Sequence, residues 1–456
     1  MTIQTINPAT AELLETYHST TLSSLEDIIT KSVKAQIDWS KLSITQRAKF
    51  FFKLAEILKN KKDYYASLIT TEMGKPINQS RAEIEKCAWI CEHYALETEK
   101  YLEKRIIQTE HKKSYITYKP TGLIFGIMPW NFPFWQIFRF CVPTLMAGNT
   151  VIIKLAENCT GCILEVAKLF TEAGFPHHIF NNVLIDHDLA AKIIGDTRIN
   201  GVSLTGSEKA GSIIGACAGQ NLKKIVLELG GNDPYIILED ANLDLAAELC
   251  LKSRLNNTGQ VCIAAKRLIV VNKVLDDFRN LILEKIKSFQ IGDPTIEQYN
   301  IGPLARADLR DNLHKQVIDS INAGANCLLG GSPVDQMKGF YYPVTILDNV
   351  TNKTRAYHEE LFGPVISLLE AKDEDDAIDI ANDSKYGLAA AVFTQDINKG
   401  EEIARNKINA GTVVVNSMVS SDPRLPFGGI KSSGYGRELG EEGIKEFTNI
   451  KTVIVN

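Results

Sequence analysis

Cys262 closes the run Asn257-Thr258-Gly259-Gln260-Val261-Cys262, a Gly-containing turn ahead of an apolar stretch, where a side chain can be held rigidly at the edge of a cleft. Glu228 lies 34 residues earlier, at the end of an apolar run and just before Leu229-Gly230-Gly231. A carboxylate there is costly to bury unless it is paired or used. A thiolate and a general base in one cleft suffice for covalent chemistry on a carbonyl. An isolated cysteine is more often a small buried hydrophobe, and this chain has nine, so the neighbouring signals carry the argument. Asn131, in Pro129-Trp130-Asn131-Phe132-Pro133, can offer an amide N–H to a developing oxyanion. Lys154 and Glu157 follow an apolar run at a spacing that suits the two hydroxyls of a ribose. Gly206-Ser207-Glu208-Lys209-Ala210-Gly211 sits at a strand-to-helix junction, where free amides and the helix dipole favour a phosphate. That loop is neither GxGxxG nor a P-loop, and taken alone an ordinary glycine turn explains it as well.

Other thiol chemistry finds less support. A thiol hydrolase needs a histidine partner, and none of the eight histidines lies in a recognisable pairing motif. Cys159-x-x-Cys162 and the Cys87/Cys91 pair have no second pair at zinc spacing, so no metal is expected.

The elements that must position these residues alternate in kind. Apolar strands at 123–127, 151–153, 182–185, 202–204 and 225–227 are separated by helical stretches at 135–146, 160–173 and 207–219. Uninterrupted apolar strands joined by helices indicate a parallel sheet covered on both faces, with its ligand beyond the carboxyl ends of the strands. A second alternation places strands at 235–238, 267–271, 343–346, 365–370, 389–393 and 412–415. The first hundred residues read as mostly helical, with capping boxes at Ser23–Glu26 and Ser43–Gln46 and a helix over 79–102. Residues 114–119 and 451–455 are beta-prone. The fold class is therefore α/β: a doubly wound Rossmann-like domain from 1–101 and 121–228, a second α/β domain over 229–436, and a small β arm from 102–120 and 437–456.

With 456 residues, the chain is long enough for two or three domains. Its 50 basic and 55 acidic residues give a net charge of −5, which disfavours nucleic acid and anionic membranes as partners. Residues 120–138 carry no charge, but Pro120, Pro129 and Pro133 break them into a strand, a turn and a helix start, so no membrane span is expected. Nine scattered cysteines and an N-terminus without a signal-peptide pattern suit a soluble cytoplasmic protein.

Taken together, residues 129–133, 206–211, 227–233, 259–267, 359–364 and 426–437 match, in order, the motifs of the NAD(P)-dependent aldehyde dehydrogenase superfamily, which the chain resembles over nearly its whole length. The resemblance implies Cys262 as nucleophile, Glu228 as base, and Asn131 with the Cys262 backbone N–H as oxyanion hole. It implies a cofactor, NAD with NADP left open, held by Trp130, Lys154, Glu157, Gly206, Ser207, Gly211, Glu360 and Phe362. The implied reaction forms a thiohemiacetal on Cys262, loses hydride to give a thioester, and ends in hydrolysis. Glu157 argues for NAD, because a carboxylate on the ribose diol repels a 2′-phosphate. The arm resembles the family's oligomerisation elements and implies a homo-dimer or homo-tetramer. The sequence departs from the family in Leu155 for a usual Pro, Phe140 for a common Lys, and His178 for a usual Gly.

Arg139 lies eight residues after Asn131, on a helix that is otherwise apolar. It either pairs with a structural carboxylate or grips a substrate carboxylate in bidentate fashion. Superfamily members that oxidise succinate semialdehyde have an Arg at the matching place and a Ser matching Ser421. Many also carry an Arg six residues before the nucleophile, where this chain has Asn256; Arg254 and Arg424 are nearby alternatives. The resemblance therefore favours a short carboxylated aldehyde, succinate semialdehyde before glutarate semialdehyde. A CoA-acylating relative, which tends to lack the base, and a non-catalytic protein on the same scaffold are the alternatives.

Overall fold

The computed structural model describes residues 2–334 and 337–456. Two parallel sheets face the site. The first runs in the order Gly434–Tyr435, Lys224–Glu228, Ile199–Thr205, Leu123–Met128, Thr150–Leu155, Phe180–Asn182, parallel except for the short first strand, which pairs antiparallel with Lys224–Glu228. The chain starts in the middle of this sheet and winds outward in both directions. Such a topology opens a ligand crevice beyond the strand ends. The second sheet places Thr345–Asp348, Val365–Ala371, Arg267–Val271, Pro234–Ile237, Ala389–Phe393 and Thr412–Val415 side by side in parallel, with Asn326–Leu329 antiparallel at one edge.

The helix Trp135–Met146 is buried along its whole length, as befits a helix that is mostly apolar. It packs beside Ile77–Tyr101, whose Glu83 accepts the backbone N–H groups of Phe134 and Trp135 at 2.9 Å each. Those two amides start a helix and have no partner within it, so the carboxylate caps it from a neighbouring element. A third sheet, antiparallel, unites Arg105–Ile107, Lys113–Pro120 and Thr448–Val455. Among the described residues, no helix is long and apolar enough to cross a membrane.

Several local expectations need correction. The N-terminus begins with an antiparallel hairpin, Thr2–Ile6 against Leu13–His18, and not with a helix; Ile3 and Thr5 face inward on alternate positions. The capping box at Ser23–Glu26 does not form. Thr21 caps the helix Leu22–Lys41 by accepting the Ser24 N–H at 3.1 Å, and Glu26 turns outward to Arg198 at 2.6 and 2.8 Å. The box at Ser43–Gln46 forms in both directions. The expected strand 182–185 ends at Asn182, because Leu184 leaves the sheet to exchange hydrogen bonds with Thr20.

Candidate active site

Cys262 is placed by a turn whose backbone is unusual at three successive residues. Asn257, Thr258 and Gly259 have φ of 51°, 55° and 75°. The left-handed region is costly for a β-branched residue, and such conformations persist only where their surroundings over-determine them. Here they do. Thr258 exchanges hydrogen bonds with Gly302 (3.0 and 3.3 Å), Asn257 N donates to Gln79 Oε1 at 2.6 Å, and Gln260 Oε1 accepts the Ala305 N–H at 3.0 Å. Gly259 lies so close to Gly363 that a Cβ would sit 2.2 Å from that carbonyl oxygen. Arg254, fully buried, ties the turn to the next strand through the carbonyls of Gly259, Leu361 and Val365. It is a clamp on this loop, and Arg424 pairs with Asp422 at the surface, so neither points a free guanidinium at the nucleophile.

Asn131 is buried against the same turn. Its Nδ2 donates to the Gln260 carbonyl at 3.0 Å, and its own carbonyl accepts from Asn257 Nδ2 at 2.8 Å. The side-chain amide is thereby fixed two residues from Cys262, with a second N–H to offer. Glu228 ends its strand fully buried, with Oε1 unpartnered and packed on Gly428, where a Cβ would approach to 2.7 Å. Burial raises its pKa well above the usual carboxylate range, against the pull of Arg139. Burial likewise pushes the Cys262 thiol up to about 11, with Arg139 and then Lys266 pulling it down. Lys266 donates its ammonium to the Cys262 carbonyl and pairs with Glu360 at 3.1 Å. Position in sequence gave no hint of this lysine's role; the only available signal was a cation on the edge of a buried strand four residues past the thiol.

Arg139 reaches the centre with its charge already compensated. Its guanidinium forms an ion pair with Glu438, donates Nη2 to Thr205 Oγ1 at 3.2 Å, and lies 4.9 Å over the Phe427 ring. Of the two readings of Arg139, pairing with a protein carboxylate is present, through Nε, and it occupies only part of the guanidinium. Ser421 is buried and its Oγ accepts from Lys86 Nζ at 2.7 Å.

A cleft of about 640 Å³ runs from the helix Glu208–Gln220 to Gly230, Glu360 and Tyr386. Ser207 caps that helix, accepting the Ala210 N–H at 3.2 Å. Gly211 lets Leu229 approach to where a Cβ would be 2.4 Å from it, and Gly206 N donates to the Glu228 carbonyl at 3.0 Å. Lys154 is buried at its strand end and Glu157 is exposed beyond it; burial lowers the lysine pKa while Glu157 raises it. Glu360 accepts the Gly231 N–H at 3.2 Å, and Phe362 meets Trp130 edge-on at 5.8 Å. A capped helix end, close backbone approach and a buried lysine with a carboxylate three residues on fit a dinucleotide. No cluster of metal-ligating residues occurs among the described residues.

The sequence profile of the aldehyde dehydrogenase family matches residues 1–453. The chain belongs to the aldehyde dehydrogenase family. It is 43% identical over 453 residues, 99% of each chain, to a probable succinate-semialdehyde dehydrogenase [NADP(+)] of Synechocystis sp.. Over 448 residues it is 42% identical to a succinate semialdehyde dehydrogenase [NAD(P)+] of Escherichia coli K12, covering 98% of this chain and 96% of the relative. A solved succinic semialdehyde dehydrogenase from Streptococcus pyogenes, in complex with NADP+, superposes with a TM-score of 0.97 at 36% identity and covers 99% of both chains. In this aldehyde dehydrogenase, Glu228 ends a strand of the first sheet, Asn131 follows another, and the Cys262 turn precedes a strand of the second.

Proposed function

We propose that the protein oxidises a short carboxylated aldehyde, succinate semialdehyde foremost, to the acid with NAD(P)+. The observation that supports this most is a buried cationic and hydroxyl environment, Arg139 and Ser421, in a family site whose relatives are named for that substrate. The Cys262 thiolate adds to the aldehyde carbon, and the oxyanion accepts from Asn131 Nδ2 and the Cys262 N–H. The cofactor, when bound, supplies the acceptor for the hydride released as the adduct collapses to a thioester. Glu228 then takes a proton from water for hydrolysis, frees the acid and restores the thiol.

Lys154 and Glu157 hold the adenosine ribose in this reading, with Trp130 beside that binding region. Gly206, Ser207 and Gly211 shape the pyrophosphate end, and Glu360 with Phe362 the nicotinamide ribose. Residues 1–101 with 121–228 carry the cofactor, and 229–436 the nucleophile. Residues 102–120 with 437–456 join subunits of a cytoplasmic homo-dimer or homo-tetramer, since a strand edge exposed along Thr448–Val455 asks for a partner.

The test is initial-rate formation of reduced nicotinamide with succinate semialdehyde and with butyraldehyde, each with NAD and NADP. The expected result is a higher kcat/KM for the semialdehyde and for NAD, since a Glu157 carboxylate on the ribose diol would repel a 2′-phosphate. Equal use of butyraldehyde refutes the substrate, and a preference for NADP refutes the role given to Glu157.

A further inference from the structure

Where Ile77–Tyr101 packs on the Arg139 helix lies a cation that the chemistry above leaves unused. Lys86 is half-buried; its Nζ donates to Ser421 Oγ at 2.7 Å and stands 4.3 Å over the Trp135 ring. Among the described residues no carboxylate lies within ion-pair distance of it, although its neighbours all have partners. Glu83, three residues earlier on the same helix, is engaged by Lys75 and by the Phe134 and Trp135 amides. Asp422, next to Ser421, is turned onto Arg424 at 2.6 Å. Glu438 is held by Arg139. Burial, and then repulsion from Arg139, pull the Lys86 pKa down to about 8. The two cations are thus close enough to feel one another, and Arg139 also acts on Cys262. A desolvated ammonium without a counter-ion is unfavourable, and a ligand that brings one removes the penalty.

We infer that Lys86, with the Ser421 hydroxyl, anchors the distal carboxylate of the aldehyde substrate and so sets specificity in this enzyme. The inference rests on the carboxylated-aldehyde reading above. It supplies the full counter-charge that Arg139, bound to Glu438, offers only in part, and that exposed, neutral Asn256 cannot offer. Trp135, beneath the ammonium, is the first residue of the Arg139 helix and joins the anchor to it.

The test compares kcat/KM for succinate semialdehyde with that for butyraldehyde in wild type, Lys86→Met, Lys86→Gln and Lys86→Arg. The quantity read is the ratio of the two, which a general loss of folding leaves alone. Lys86→Met and Lys86→Gln are expected to lower the ratio at least tenfold, mainly through KM for the semialdehyde, and Lys86→Arg to keep most of it. A ratio unchanged in Met and Gln variants overturns the Lys86 assignment while the substrate reading survives. Equal proportional losses on both aldehydes show a purely structural lysine and also overturn it. A wild-type ratio near one overturns the substrate reading, and the anchor falls with it.

Discussion

Replacing Arg139 by Met tests whether its pairing with Glu438 is structural and whether its field serves the thiol. The two side chains are 2% and 6% exposed. Removing one partner of a pair this buried leaves an uncompensated charge and costs about 3–5 kcal/mol. Among the described residues, one further hydrogen bond to the Glu438 carboxylate remains, from Ser203 Oγ at 3.3 Å. Arg139→Met/Glu438→Gln removes both charges, and neutral replacement of a buried pair is often close to neutral in stability. The double variant should therefore recover most of the loss, with a coupling energy on the order of 2–3 kcal/mol in a denaturation cycle. The thiol should behave differently. Burial holds the Cys262 pKa high and Arg139 opposes it, so both variants should move the Cys262 alkylation profile to higher pH. Each tenfold loss of thiolate corresponds to about 1.4 kcal/mol. The readout is iodoacetamide labelling of the Cys262 peptide by mass spectrometry, since Cys217 and Cys327 are also accessible. A double variant as unstable as the single would refute the pairing argument. An alkylation profile that does not move would refute the electrostatic one.

Glu228→Gln should keep a first-turnover burst of reduced cofactor and lose steady-state turnover by roughly 10²–10⁴-fold, the usual contribution of a positioned base. Because burial raises the Glu228 pKa, wild-type hydrolysis should strengthen as pH rises and the carboxyl loses its proton, and the variant should lack that rise; persistent steady-state turnover in Glu228→Gln would remove Glu228 as the base. Gly259→Ala meets both a φ of 75° and the Gly363 carbonyl, so it should destabilise by at least about 1–2 kcal/mol from the backbone alone and lower kcat by displacing Cys262. A kcat near wild type would show that this turn does not set the nucleophile.

Parallel strands were legible because both faces are covered: Arg267–Val271 and Ala389–Phe393 are buried at every position, and short, largely apolar runs fit such strands. Asn326–Leu329 was invisible for the opposite reason. It is an exposed edge strand, held by its antiparallel neighbour and carrying no alternation. The helices Lys62–Met73 and His187–Gly195 are short and follow other elements closely, so their periodicity does not separate from what surrounds them. His178 was recognisable only as a departure from glycine. Its φ of 68° shows that the turn demands a left-handed residue whatever stands there.

The proposed site was legible wherever one short segment fixes a side chain and illegible wherever charge is balanced across the chain. Cys262, Glu228, Asn131 and Ser207 each announce themselves within a few residues, because a turn or strand end fixes the side chain locally. Arg139 does not, since its meaning depends on Glu438, almost three hundred residues away and on a different element. Lys86 depends on Ser421, 335 residues away, and on three other carboxylates that have found other cations. No window of sequence contains that information: a charge becomes functional or structural only once every competing counter-ion around it has been assigned. The same accounting separates the two cations at this site. Arg139 has a protein carboxylate and so tunes the thiol from within the fold, while Lys86 has none at ion-pair distance among the described residues and is left to take its counter-ion from the substrate.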